Sequence, residues 1–125
     1  MRAGTVVVIE DDPAINDAVR MILNKSGHQV HSFTTIEAFE RASAAPVDVY
    51  IVDRQLKDGD GIELCRRLKS SEATRHVPVI IMSATPGTRQ FTQDACADAF
   101  LEKPFSKKQL LAAIERLITP TTGIL

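Results

Sequence analysis

What this chain has little of narrows its roles before any motif is read. It carries two cysteines in 125 residues, Cys65 and Cys96, in no metal-ligand or redox spacing. Two such thiols fit a reducing cytosol, and a disulfide between them stays open on sequence alone. No block of lysine or arginine occurs. Fifteen basic residues stand against sixteen acidic ones, for a formal net charge of −1, which argues against direct nucleic-acid binding by this segment. No apolar run approaches bilayer-spanning length, and no basic region followed by a signal-length apolar stretch opens the chain. The expectation is no membrane association and, by default, a cytoplasmic location. Internal repeats and low-complexity segments are absent as well.

What is there is an ordinary globular balance, 44% hydrophobic and 25% charged. A chain of this length is most simply one domain, 1–125, burying about two-thirds of the surface it exposes unfolded. Its core is expected over about 5–119, with 120–125 a tail or the start of a linker.

Four short apolar runs end in polar groups. Val6-Val7-Val8-Ile9 meets Glu10-Asp11-Asp12, and Val47 to Val52 meets Asp53. Val79-Ile80-Ile81-Met82 meets Ser83, and Ala99-Phe100-Leu101-Glu102 meets Lys103-Pro104. A fifth run, His28 to Phe33, alternates. Helical patterns lie between them. Asp12 suits the cap and Pro13 the first position of a helix with Ile15, Ala18, Val19, Ile22 and Leu23 on one face, and Gly27 suits its exit. Thr34 with Glu37 offers a capping box for a short helix to about Ala44, ended by Pro46. Beyond Asp53, a loop with Asp58-Gly59-Asp60-Gly61 leads to a helix carrying Ile62, Cys65 and Leu68. Thr88 to Asp94 has little amphipathic signal and reads as a short helix. Ser106 caps a last helix striped by Leu110, Leu111, Ile114, Leu117 and Ile118.

Five βα units in this length predict an α/β fold, a doubly wound, flavodoxin-like (βα)5 parallel sheet in the order 2-1-3-4-5. Right-handed crossovers place the first and third strands side by side, which makes Asp11 and Asp53 neighbours. Carboxylates crowded at one edge repel each other, and a hard divalent ion relieves that. Mg2+, or Mn2+ in its place, favours such oxygen ligands. Asp11 and Asp53 would bind it directly, Glu10 through water, and the Gln55 backbone carbonyl would complete the protein's share. A carboxylate can itself be a nucleophile and form an aspartyl phosphate. Lys103 would neutralise the transferring phosphoryl oxygens, and Ser83 would donate to one of them. A cis Lys103-Pro104 bond would fix the lysine's direction.

With Val8-Ile9-Glu10-Asp11-Asp12, Ile51-Val52-Asp53, Asp58-Gly59-Asp60-Gly61, Val77 to Ala84 and Phe100 to Phe105, the chain resembles a response-regulator receiver domain, the phosphoacceptor module of two-component signalling. The resemblance covers about 5 to 119. It implies that Asp53 accepts a phosphoryl group from a histidine kinase or phosphotransfer protein. Asp11, Asp53 and the Gln55 carbonyl then hold Mg2+, with Glu10 in support. Ser83 moves toward the phosphoryl group, Phe100 follows as the switch aromatic, and Lys103 binds phosphoryl oxygens. Gln55 and Thr85 occupy positions that influence the lifetime of the aspartyl phosphate. Output would leave by the segment after Ser83, the strand at Phe100 and the last helix, to a downstream protein or output domain, with a phosphorylation-dependent dimer as one form. The first-helix face near Ile15, Asn16 and Val19 would lie toward the kinase or phosphotransfer partner. Lys57 stands where the family commonly has proline, which implies a more mobile loop, and Cys96 stands where glycine is frequent. Two other readings compete: a Mg2+-dependent aspartyl-nucleophile phosphohydrolase, which usually needs an acid where Gln55 stands, and a phosphate-independent pseudo-receiver, disfavoured by the intact Asp11, Asp53, Ser83 and Lys103.

Overall fold

Along the chain come β1 (Thr5–Ile9), α1 (Pro13–Lys25), β2 (Gln29–Phe33), α2 (Ile36–Arg41), β3 (Val49–Asp53), β4 (Gln55–Leu56), β5 (Gly59–Asp60), α3 (Gly61–Ser70), β6 (Val79–Ser83), β7 (Ala99–Glu102) and α4 (Lys107–Ile118). The computed structural model describes residues 3–42, 46–84 and 97–118. The short helix expected over Thr88 to Asp94, along with Thr85, Cys96 and the tail, lies outside these described residues.

The five longer strands form one parallel sheet in the order β2-β1-β3-β6-β7, the doubly wound arrangement expected. Both faces are covered. Val7, Ile9, Tyr50, Val52 and Ile81 pack with Ile36, Ile62 and Leu68 from α2 and α3. Val6, Val8, Ile51, Ile80 and Met82 pack with Val19, Leu23, Leu110, Ile114 and Ile118 from α1 and α4. A strand buried on both sides has no polar face to alternate with, which is why these segments read as unbroken apolar runs.

The helix ends follow local chemistry. Asp12 accepts from the N–H groups of Ala14 (2.9 Å) and Ile15 (3.3 Å), and Pro13 opens α1 where its missing donor costs nothing. Gly27 leaves α1 at φ +92°, a left-handed value that glycine adopts freely. Ser106 and Gln109 bond reciprocally at the start of α4, at 2.8 and 3.0 Å.

Several boundaries differ from the sequence-based expectation. The cap of α2 is Thr35, whose hydroxyl accepts from Ala38 N–H at 3.0 Å, in place of Thr34. The helix ends at Arg41, because Ala42 is already extended. β3 starts at Val49, and His28 lies outside β2, buried, with its Nδ1 accepting from Gly4 N–H at 3.1 Å. On α1, Ala18 is exposed. Asn16 and Val19 are buried, as parts of the core. Asn16 Nδ2 donates to the carbonyls of Glu10 (3.0 Å) and Phe33 (3.1 Å), tying α1 to the ends of β1 and β2.

The stretch past Asp53, expected as a loop, contains a short hairpin. Gln55 pairs with Asp60 and Leu56 with Gly59. Asp60 caps α3 through Ile62 N–H at 2.8 Å. Asp58 reaches the start of α2, its two carboxylate oxygens accepting from Ile36 and Glu37 N–H, each at 3.0 Å.

Two outcomes are expected in denaturation experiments. Asn16→Ala takes the side-chain donor from the buried Glu10 carbonyl and leaves the Phe33 carbonyl with the Glu10 N–H alone, and should cost about 1–3 kcal/mol; an unchanged urea midpoint would remove Asn16 from the fold's supports. The Ile36 and Glu37 N–H groups hold the Asp58 carboxyl below its ordinary 3.8. A depressed folded-state pKa means the stabilisation is complete above pH 3.8 and fades as pH falls through the lower folded value. Asp58→Asn should therefore flatten part of the stability loss below that pH, and an identical acid limb in both proteins would contradict it.

Candidate functional site

β1 and β3 are adjacent, with Ile9 level with Val52, so the residues that follow, Glu10 and Asp53, emerge together at the carboxyl edge of the sheet. On the other side of β3, Asp53 is level with Met82, and Ser83 is level with Glu102 on β7. The edge therefore collects Glu10, Asp11, Asp53, Ser83 and Lys103 from four strands. Glu10, Asp53 and Ser83 are buried, while Asp11 is half-buried.

Lys103 joins the acids. Its ammonium donates to Glu10 Oε1 at 2.7 Å and to Asp53 Oδ1 at 3.1 Å. Its own backbone N–H donates to the Ser83 carbonyl at 2.9 Å, which sets the base of the side chain beside β6, and the Lys103-Pro104 peptide is cis, as expected. The other oxygen of Glu10 accepts from Asp12 N–H at 3.0 Å. Glu10 thus stands in direct contact with the lysine.

These contacts pull on proton affinities in opposite directions. Burial pushes the Glu10 carboxyl up to about 7, while the Lys103 bond and the Asp12 N–H resist that rise and the Asp53 charge adds to it. For Lys103, burial works downward, but the Glu10 bond and the Asp53 charge outweigh it and raise the amine overall. The ammonium therefore keeps its charge over the whole range in which Glu10 titrates.

One carboxylate oxygen from each of Glu10, Asp11 and Asp53 lies within 4.8 Å of the others. An all-oxygen, carboxylate-rich set of this size fits a hard divalent cation, with water and other oxygens making up the shell. Gln55 sits in β4, two residues beyond Asp53, with its side chain exposed. Phe100, half-buried on β7, lines a cleft of about 430 Å³ with Phe105, Gln109, Ala113 and Arg116.

Two supports of the site were not identified as such from the sequence. Gly61 N–H donates to the Arg54 carbonyl at 2.7 Å. A Cβ on Gly61 would sit 2.0 Å from the Asp53 carbonyl oxygen, so α3 can begin this close to Asp53 only without a side chain there. Asn16 holds the Glu10 carbonyl. Its one signal was a polar residue in register with Val19 and Leu23 on a buried stripe.

The comparisons with known proteins agree with this geometry. Residues 6–115 match the family model described as the response regulator receiver domain. The DNA-binding dual master transcriptional regulator RpaA of Synechocystis is 32% identical over 95% of this chain and 51% of its own length. The chain thus spans about half the length of the curated relatives it matches. Among solved structures, the receiver domain of sensor histidine kinase PA1611 from Pseudomonas aeruginosa, with a magnesium ion in its active-site cleft, superposes with a TM-score of 0.84 at 25% identity, covering 95% of this chain and 100% of that one. The BeF3-activated DrrB receiver domain (DrrB of Thermotoga maritima) reaches 0.85 at 28% identity over 95% and 100%. Among the described residues, no helix is long and apolar enough to cross a membrane. A family-model match over residues 6–115, together with a relative 32% identical over 95% of the chain, leaves one assignment: the chain belongs to the response regulator receiver domain family.

Proposed function

We propose that this domain is a phosphoacceptor switch in which Asp53 takes a phosphoryl group from a histidine kinase or phosphotransfer protein, in a reaction that depends on Mg2+ or Mn2+. The observation that carries this reading is one ammonium, Lys103, shared by two buried carboxylates with a third acid within ligand reach. Such a cluster stays short of positive charge, so it favours a divalent cation and, with it, a phosphoryl group.

The step is a displacement at phosphorus. A carboxylate oxygen of Asp53 forms the new O–P bond as the P–N bond to the donor histidine breaks, and the electron pair stays on the imidazole nitrogen, which takes up a proton. Lys103 already engages Oδ1, so attack through Oδ2 preserves that contact. Its ammonium can then neutralise phosphoryl oxygens. Asp11, Asp53 and the Gln55 backbone carbonyl would hold the cation, with Glu10 acting through Lys103 or water; when bound, the cation offsets the charge of the phosphoryl oxygens. Ser83 would donate its hydroxyl to the phosphoryl group, and Phe100 would respond to its movement. Gln55 and Thr85 would tune the lifetime of the acyl phosphate. The chemistry is self-catalysed phosphotransfer and dephosphorylation, serving a switch and not a turnover enzyme. Its reader is a downstream protein, an output domain, or a second copy in a phosphorylation-dependent dimer. Nothing in the relatives or neighbours favours a phosphohydrolase, and Gln55 lacks the carboxyl such an enzyme would use.

With Mg2+ and acetyl phosphate, intact-mass spectrometry should show a single added phosphoryl group, absent in Asp53→Asn and after chelation. A persistent modification of Asp53→Asn, or an unmodified wild type, overturns the assignment. Gly61→Ala should push Asp53 out of place, slowing phosphorylation by about tenfold or more and destabilising the fold by about 1–3 kcal/mol. Wild-type rate and stability in that variant would show that the contact yields without cost.

A further inference from the structure

The β4–β5 hairpin, which carries Gln55, is too short to hold itself. It has two residues in each strand, and isolated hairpins far longer than this are marginal in water. Its position therefore comes from tethers. At the base, Gly61 N–H bonds the Arg54 carbonyl and Asp60 caps α3. On the flank, Leu56 is buried in the same core cluster as Ile36 of α2. At the tip, Asp58 grips the first turn of α2.

The tip contact has features that a simple helix cap does not need. Thr35 already caps α2 through Ala38, and the helix is only six residues long. Asp58 comes from 22 and 21 residues away, and each of its oxygens takes a different N–H at 3.0 Å. A two-point, charge-assisted contact fixes orientation as well as position. The fit is also close: a Cβ on Gly59 would lie 2.8 Å from the Ile36 Cδ1. Only one pairing, Leu56 with Gly59, lies between the tip and the pairing of Gln55 with Asp60. A ladder released at its tip frays toward Gln55.

We infer that Asp58 is a positioning residue for cation binding: by clamping the hairpin tip to α2, it keeps the Gln55 backbone carbonyl presented beside Asp53. The inference rests on the proposed function, since it takes the Gln55 carbonyl as a ligand. The same two N–H bonds hold the Asp58 carboxyl below its ordinary range, so the clamp is charged at neutral pH.

The test compares two ways of uncapping α2. Asp58→Ala removes the clamp. Thr35→Ala removes the other side-chain cap of the same helix and leaves the hairpin bonds in place. Labelling by acetyl phosphate is followed across Mg2+ concentrations, with Mg2+ binding measured by calorimetry. Asp58→Ala should raise the half-saturating Mg2+ concentration by about three- to tenfold, with the rate at saturating Mg2+ retained. Thr35→Ala should stay within about twofold of wild type. Asp58→Asn, which keeps one acceptor oxygen, should fall between, and it serves if the alanine variant fails to fold. An unshifted midpoint in both Asp58 variants, or an equal shift in Thr35→Ala, overturns the inference while leaving phosphorylation of Asp53 intact. A wild type with no Mg2+-dependent labelling overturns the functional reading and this inference together.

Discussion

Two carboxylates nearly shut off from water share one ammonium, and the carboxyl edge of this sheet is arranged around that fact. A buried carboxylate without a partner is expensive enough to pick up a proton or move. Lys103 answers this for Glu10 and Asp53 at once, at 2.7 and 3.1 Å. With Asp11 alongside, the balance remains negative. That residual charge is the physical basis for a cation and for phosphoryl chemistry, and it exists only because parallel pairing brings the ends of β1 and β3 together. Had the chain between them crossed over differently, each acid would be an unremarked turn residue.

Much of this was legible in the sequence because a two-sided parallel sheet leaves a strong mark. β1, β3 and β6 are all but fully buried, so they read as apolar runs whose polar ends could be set side by side by topology alone. The first helix announced itself through Asp12, Pro13 and Gly27, each acting on its near neighbours. The errors fall where the deciding partner is distant or the signal is shared. Thr34 and Thr35 are equivalent caps until the chain direction is known. The hairpin after Asp53 is too short to show alternation, and what secures it lies in α2, more than twenty residues back. Asn16 gave only a polar residue on a buried stripe, because nothing local says which carbonyls it meets.

Gly61 shows the same limit from the opposite side. A glycine next to an aspartate suggests a turn, and Asp60-Gly61 was read that way. Its actual constraint is a close approach to the Asp53 carbonyl, an intrusion between segments eight residues apart. Residues that keep a site clear leave weaker traces in a sequence than residues that do its chemistry, because an absent side chain has no chemical type to recognise.

The two edges of the sheet are built differently, and the difference bears on how a charge change at Asp53 can be felt. At the amino edge, side chains staple backbone across the strands. Asp48 accepts from Thr5 N–H at 2.7 Å, and His28 accepts from Gly4 N–H at 3.1 Å. Asp98 accepts from Val79 N–H at 2.8 Å while also pairing with Lys69, which donates to the Val77 carbonyl. Each staple spans a different strand junction and belongs to no charge cluster of the site. At the carboxyl edge, the corresponding job falls to Lys103, whose partners include the very group proposed to be modified. A new dianionic group on Asp53 would draw that ammonium away from Glu10, whose burial already favours its neutral form. The response would then start at the edge where the contacts share charges, while the stapled edge holds the strand register beneath it.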